Sequence, residues 1–431
     1  MTASDALFRR ALQFLPGGVS RDTVLRRPHP LYAAHGEGYM VTDIEGRQFV
    51  DFANNMASLI HGHAFAPIVD AVSAQMRRGT AFTFGTEAEV DFAEHMCSRS
   101  PAFEKIRFMN SGSEAVMAAI KAARAFTGRP KIAKVEGAYH GAYDYVEVSQ
   151  TAGPDQWGAP DRPNPVALAV GTPQGVVDDV IVIPFNNPQV AIDLLNRHAA
   201  SLAGVLVDPI PHRVGLIPAE DSFIRYLREW THSHGALLVF DEVITFRTEV
   251  GGAQTRYGVR PDLTALGKAI GGGFPVGAVA GRDEVMAVFA TGERGLRLPQ
   301  SGTFSANPIT MTAGLVAMQH FDGVAVARLN GLGELARSGI SAAIGASSVP
   351  ACVTGTGSMF RIHLKAEPPR NYRDAFEDAP GRKRLARFVD GMLDEGIMLT
   401  NTGTGMLSTV MAQPQIDRLS QAVLTSLRGL T

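Results

Sequence analysis

Apolar positions along the chain fall into two patterns. Short apolar runs occur at residues 106–109, 131–135, 180–183, 204–207 and 236–240. Between them, residues 114–126 and 222–234 carry apolar side chains at three- and four-residue spacing. The first pattern predicts buried strands and the second amphipathic helices. Their alternation predicts βαβ units and a mostly parallel sheet. Ligands of such sheets sit outside the carboxyl ends of the strands. Near the N-terminus, Leu7, Phe8, Ala11, Leu12 and Leu15 have helical spacing, stopped by Pro16-Gly17-Gly18. This reads as a packed terminal helix, with a short targeting helix carrying Arg9 and Arg10 as the other reading. Residues 149–179 are rich in Gly, Pro, Gln and Asp and show no period, which predicts a long functional or mobile loop. Beyond a helix near 310–319, a helix at 382–394, strands near Ile397 and Leu407 and a last helix at 414–427 describe a second lobe. The expected division is an N-terminal segment at 1–60 packing with the small domain, a large domain at 61–310, and a C-terminal small domain at 311–431.

Composition narrows the class. With 45% hydrophobic and 19% charged residues in a 431-residue chain, the sequence carries enough apolar matter for extended cores. A net charge of −2 gives no global field for nucleic acid or anionic lipid. No run of 18 apolar residues is present, so no membrane span is expected, and the first residues lack the long apolar core of a secretory signal. Cys97 and Cys352 lie far apart and offer neither a disulfide framework nor a cysteine zinc site. The expected compartment is reducing and cytoplasmic. His61-Gly62-His63 and His232-Ser233-His234 have no third ligand nearby, so no metal is expected.

Five segments carry candidate chemistry. In Asn110-Ser111-Gly112-Ser113 a strand runs into a helix start, where free amides, two hydroxyls and the helix dipole suit a phosphate; a plain Ser N-cap is the other reading. Asp241 and Glu242 end an apolar run, where a carboxylate can meet a protonated ring nitrogen, or the pair can bind a metal or cap a helix. Lys268 stands between an apolar stretch and Gly271-Gly272-Gly273. An amine in such a setting loses basicity and suits Schiff-base chemistry, whereas an isolated Lys is usually a solvated charge. The GxxxxGK[ST] spacing is absent, so this is no P-loop. Tyr139, in Gly137-Ala138-Tyr139-His140-Gly141, can stack on an aromatic ring, and Thr303 offers a hydroxyl in a Gly-rich turn. Together these supply what pyridoxal phosphate needs: a phosphate cradle, a ring stack, a carboxylate and an amine.

With those motifs in place, the sequence resembles the class III aminotransferases of fold type I. The matching segments are NSGSEA at 110–115, YHG at 139–141, FDEV at 240–243, LGKAIGGG at 266–273 and SGTFSANP at 301–308. Within the class it is most similar to the group of glutamate-1-semialdehyde aminomutase and the β-amino acid (β-phenylalanine) transaminases. The resemblance implies an α/β fold with a large domain on a mostly parallel seven-stranded sheet and a smaller α+β domain. It implies a homodimer with active sites at the interface, pyridoxal 5'-phosphate as cofactor, and a small-molecule amino donor and keto-acid acceptor. Lys268 would be the Schiff-base lysine, Asp241 would pair with the pyridine nitrogen, and Val243 and Tyr139 would flank the ring. Ser111, Gly112 and Ser113 would hold the phosphate with Thr303 of the partner subunit, and His140 would belong to the same cofactor set.

Local departures separate the branches. The aminomutases read GGVNSPVR, where the Arg binds the substrate carboxylate; here 17–24 reads GGVSRDTV, which places Val24 at that position and Arg21 three residues earlier. The β-phenylalanine transaminases have their carboxylate-binding Arg at this earlier place, and DEVITFR at 241–247 is also their form. The resemblance therefore implies a transaminase for a β-amino acid or related amine. The alternatives are a 2,1-aminomutase and a D-phenylglycine-type α-amino acid transaminase. Asp208-Pro209-Ile210-Pro211-His212-Arg213 replaces a small-residue turn, which puts His212 and Arg213 near the substrate. Thr402 stands where the β-transaminases carry a second Arg, so the resemblance does not carry a 2-oxoglutarate preference across unless Arg213, Arg26 or Arg27 substitutes; the expected acceptor is a keto acid, pyruvate or 2-oxoglutarate. A nicotinamide oxidoreductase would need GxGxxG; the nearest run, Gly355-Thr356-Gly357, has Phe360 at its sixth position.

Overall fold

The computed structural model describes residues 2–292 and 295–430. Its centre is a seven-stranded sheet built from β1 (Lys105–Met109), β2 (Lys131–Val135), β3 (Val180–Ile183), β4 (Leu202–Val207), β5 (Leu237–Asp241), β6 (Leu263–Gly267) and β7 (Gly277–Gly281). The spatial order is β1-β7-β6-β5-β4-β2-β3. Neighbours from β6 to β3 run parallel, and β7 is antiparallel to both β6 and β1. β3, β4 and β5 are buried along their whole length, as strands covered on both faces must be. Alternate side chains go to opposite covers. Val182, Leu206 and Val239 meet the helix Gly112–Thr127, while Ile183, Val207 and Leu238 meet the helix Asp221–His234. Only nine residues join β6 to β7, too short for a parallel crossover, so the chain turns back on itself. Gly277 begins β7 because a Cβ there would lie 1.9 Å from the Ser111 carbonyl oxygen. That close approach seats the 110–113 turn on the strand end.

The remaining elements hold the chain's two ends together. Ala33–Glu37, Met40–Asp43 and Gln48–Asp51 form an antiparallel sheet, and Ile397–Met398 adds to it in parallel beside Gln48–Asp51. Cys352–Thr354, Met359–His363 and Thr404–Met406 form a second small sheet. The long helix Gly323–Ser347 packs against Gln413–Arg428. Residues 149–179 are fastened at several points, among them the Tyr372 hydroxyl on the Ala152 carbonyl and the Ile132 amide on the Asp179 carbonyl. They contain the hairpin Gly158–Ala159/Arg162–Pro163 and a short helix, Gln174–Asp178. The Arg373 guanidinium donates to the carbonyls of Trp157, Gly158 and Ala159 and forms a two-pronged pair with Glu136.

Three of the four histidines in the two His-x-His segments have partners within the packed chain. His61 is buried, with Nδ1 2.8 Å from the Thr409 hydroxyl and Nε2 2.8 Å from the Ala317 carbonyl; burial pushes its imidazole down to about 4. His63 pairs with Asp51 at 2.8 Å, and His234 stacks on Trp230. Among the described residues no group of three or more His, Cys, Asp or Glu is arranged to hold a metal, and no helix is long and apolar enough to cross a membrane.

Candidate active site

The carboxyl ends of the strands converge on a cavity of ≈ 380 Å³. Its wall includes Ser111, Gly112 and Ser113 after β1, Tyr139 and His140 after β2, Asp208 after β4, Asp241 at the end of β5, and Lys268 after β6. Val243 and Arg21 also line it. Nine of the residues singled out above thus face one space, which the parallel sheet creates by ending all these strands on one side.

The phosphate turn combines both readings of its sequence. Ser111 is the N-cap of Gly112–Thr127, its hydroxyl accepting the Glu114 amide at 3.1 Å. The amides of Gly112 and Ser113 then have no acceptor within the helix, at the positive end of a 16-residue dipole. The Ser113 hydroxyl accepts the Ala142 amide at 3.1 Å and so ties the turn to the Tyr139 loop. Gly112 has no side chain because a Cβ would stand 2.8 Å from Val243 Cγ1. Val243 is pressed between this turn and the cavity.

Asp241 and Glu242 separate as successive residues of an extended chain do. Asp241 faces the cavity. Its Oδ1 accepts the Val243 amide at 3.0 Å, and its Oδ2 lies 2.7 Å from His140 Nδ1. Burial lowers the basicity of His140, opposed by the hydrogen bond and charge of Asp241. His140 Nε2 is buried and has no protein partner among the described residues. Glu242 turns into the core, where the amides of Ala253 and Gln254 donate to it and burial pushes its carboxyl up to about 8.

Lys268 follows β6 at φ 49°, a left-handed conformation that costs a non-glycine residue roughly 1–2 kcal/mol. Its side chain faces the cavity. Desolvation lowers the amine's basicity, opposed by the charges of Asp241 and Asp208. Asp208 was not among the residues expected to act. Burial, then the charge of Asp241, hold its carboxyl well above the usual range. Its signal in the sequence was its place at a strand's carboxyl end, the same as that of Asp241.

The other expected residues divide. Arg21 lines the cavity and a contiguous chamber of ≈ 260 Å³, whose wall also includes Val24, Leu31, Val41, Phe49 and Leu399. Its Nη1 donates to Asn55 Oδ1 at 2.9 Å. Arg213 is outside the cavity wall but lies over the Tyr139 ring, 5.4 Å from its centre, and has no hydrogen-bond or ion-pair partner among the described residues. Thr402 is not brought in. It is exposed, and its hydroxyl is bonded to those of Thr400 and Thr404. Thr303 is exposed and outside this chain's own cavity. Asn55, Met56, Ser58 and Phe274 line the cavity without having been singled out.

The residues present fit pyridoxal phosphate. The first turn of a 16-residue helix, the Asp241 carboxylate, the Val243 side chain beside Gly112 and the buried amine of Lys268 all line the one cavity.

Known proteins agree with this geometry. Residues 24–426 match the family model of class-III aminotransferases. An ω-transaminase from Sphaerobacter thermophilus is 45% identical, with a TM-score of 0.97 over 100% of this chain and 98% of its own. A β-phenylalanine aminotransferase from Variovorax paradoxus is 35% identical, with a TM-score of 0.87 over 99% of this chain and 94% of its own. The glutamate-1-semialdehyde 2,1-aminomutase of Methanothermobacter thermautotrophicus is 39% identical over 397 residues, 92% of this chain and 91% of that protein. The chain belongs to the class-III aminotransferases, the pyridoxal-phosphate-dependent enzymes of fold type I.

Proposed function

We propose that this enzyme transfers the amino group of a β-amino acid, aromatic or aliphatic, to a keto acid such as pyruvate or 2-oxoglutarate. The observation that carries the reading is the wall around Arg21. A guanidinium with no anionic partner among the described residues lines the cavity, and Val24 gives an apolar surface to the adjoining chamber. One group of the donor is a carboxylate for Arg21. The rest is an apolar side chain for the chamber.

In this reading Ser111, Gly112 and Ser113 bind the cofactor phosphate, and Val243 and Tyr139 enclose its ring. Asp241 holds the positive ring nitrogen, oriented by His140. When bound, pyridoxal phosphate condenses with primary amines and its ring draws electrons from the carbon bearing the nitrogen. Lys268, whose amine burial makes less basic, would take up and release the proton at the donor carbon that bears the nitrogen. Arg21 binds and orients the donor carboxylate. Arg213 is the residue we assign to the acceptor's second carboxylate, because its guanidinium has no hydrogen-bond or ion-pair partner among the described residues and lies over Tyr139, which lines the cavity; Thr402, outside the cavity, is not given this role.

The aminomutase reading has support in the relative from Methanothermobacter thermautotrophicus. One experiment separates the two. Each enantiomer of a β-aryl β-amino acid is mixed with cofactor-loaded enzyme without keto acid, and the cofactor absorbance is followed. The expected result is rapid bleaching by one enantiomer, reversed by pyruvate or 2-oxoglutarate. Bleaching by α-amino acids alone, or turnover of a 2,1-amino aldehyde with no acceptor, would replace the proposal.

We also propose a homodimer. Phe84 is 85% exposed, and Phe82, Val90 and Phe304 are exposed as well, apolar side chains that a second copy of the chain would cover. Thr303, adjacent to Phe304, then serves the partner's phosphate site. Sedimentation equilibrium is expected to give twice the 46.0 kDa chain mass; a single chain mass would remove Thr303 from the site.

A further inference from the structure

We propose that Asn55 is a positioning residue: presented by a left-handed turn, it aims Arg21 at the donor carboxylate without neutralising it. The inference rests on the role given to Arg21 above and adds the residue that sets that role.

The turn is unusual as backbone. Asn54, Asn55, Met56 and Ala57 have φ of 46°, 44°, 57° and 74°. Four consecutive non-glycine residues in this region are disfavoured by contacts between Cβ and the following carbonyl, and they persist only where the surroundings impose them. Here they do. The Asn54 amide donates to Asp51 Oδ1 at 2.8 Å, and Asn54 Nδ2 donates to the Met406 carbonyl at 2.6 Å. Asp51 is itself held by His63.

What the strain produces is a fixed amide. Asn55 Nδ2 donates to Ser58 Oγ at 3.1 Å, so Oδ1 is the atom left to face Arg21, 2.9 Å from Nη1. The next residue, Met56, stands on the wall shared by the cavity and the chamber. The chamber's own carboxylates are already occupied, Asp43 by Arg47 and Asp51 by His63.

Charge separates this contact from the chain's arginine ion pairs and places it with Arg107, which donates to the neutral Gln300 Oε1. Arg26 meets Asp390, Arg228 and Arg282 meet Asp262, and Arg373 meets Glu136, each cation facing an anion. Arg21 meets a neutral oxygen. A carboxylate at 55 would fill the same space and form an ion pair that competes with the substrate. An amide orients the guanidinium and leaves its charge for the ligand.

The test uses cofactor-loaded enzyme with Asn55→Gly, Asn55→Asp and Arg21→Ala. Glycine keeps the left-handed backbone free of strain while removing the amide. Two readouts are taken: the ratio of kcat/KM for a β-aryl β-amino acid to that for the matching amine without a carboxylate, and calorimetric binding of 3-phenylpropanoate, which cannot react. Asn55→Gly is expected to lower the ratio and weaken phenylpropanoate by about tenfold, the size of one hydrogen bond to a charged group. Asn55→Asp should lower both further, although it preserves the side chain's size; a purely structural role would not rank the two that way. Wild-type ratio and binding in both Asn55 variants, with loss in Arg21→Ala, would overturn the role of Asn55 and leave Arg21 standing. Undiminished phenylpropanoate binding in Arg21→Ala would overturn both.

Discussion

Lys268→Ala is expected to fold, to bind pyridoxal phosphate, and to turn over every amino donor about 10⁴-fold more slowly, the upper range for a positioned proton-transfer group. The argument is about where the amine stands. Lys268 directly follows β6, in a left-handed conformation, with its side chain in the cavity that Asp241 and Asp208 also line. Burial draws its basicity down and the two carboxylates draw it back up. An amine under these opposed influences can both take and release a proton. Arg cannot, because its guanidinium stays charged, so Lys268→Arg is expected to be as inactive as the alanine variant. Borohydride treatment followed by peptide mass measurement checks the assignment directly. Wild-type enzyme should retain the cofactor mass on the peptide containing Lys268, and the alanine variant should retain none. Turnover within tenfold of wild type in Lys268→Ala would mean that another base does the work.

The same strand ends explain why so much of this site was legible in the sequence. β3 was readable residue for residue, because a fully buried parallel strand is apolar without interruption; β2 was readable too, although Lys131 and Lys134 interrupt its apolar residues. The helix Asp221–His234 was readable from its apolar stripe. β7 was not. Its sequence, Gly-Ala-Val-Ala-Gly, has little strand propensity. It lies inside the sheet because small residues let β1 and the Ser111 turn come close. The N-terminal sheet was also hidden, since Gln48–Asp51 gains its partner Ile397–Met398 from the far end of the chain. Among site residues, Lys268, Asp241 and the phosphate turn belong to contiguous motifs, and the fold places all of them on one cavity. Asn55 belongs to none. Its contact with Arg21 depends on four backbone angles that no local pattern of Asn-Asn-Met-Ala announces. Thr402 shows the opposite case: a position chosen by motif, whose hydroxyl is spent on Thr400 and Thr404.

Asp241→Asn is the second large effect expected, a fall in kcat of about 10²–10³-fold, the range for removing one preorganised electrostatic partner of a reacting group. The substitution is nearly isosteric. The amide oxygen can still accept the proton on His140 Nδ1, which lies 2.7 Å from Asp241 Oδ2, but the NH2 in the other position cannot accept the Val243 amide. What disappears is the negative charge assigned to the cofactor ring nitrogen. A neutral residue leaves that nitrogen free to lose its proton, and the ring then draws electrons less well. The variant should also weaken cofactor retention, because one charge-assisted contact is gone. The cofactor-free protein should respond in the other direction. Asp208 is held well above the usual carboxylate range by burial and by the Asp241 charge. Removing that charge relieves a like-charge contact in a buried site, so the unfolding temperature of the cofactor-free variant should equal or exceed that of wild type. Lower activity together with an undiminished melting temperature would identify Asp241 as a residue kept for chemistry against the preference of the fold. Wild-type kcat in Asp241→Asn would take the ring-nitrogen role away from it, and a large fall in melting temperature would make its contact with His140 a structural one.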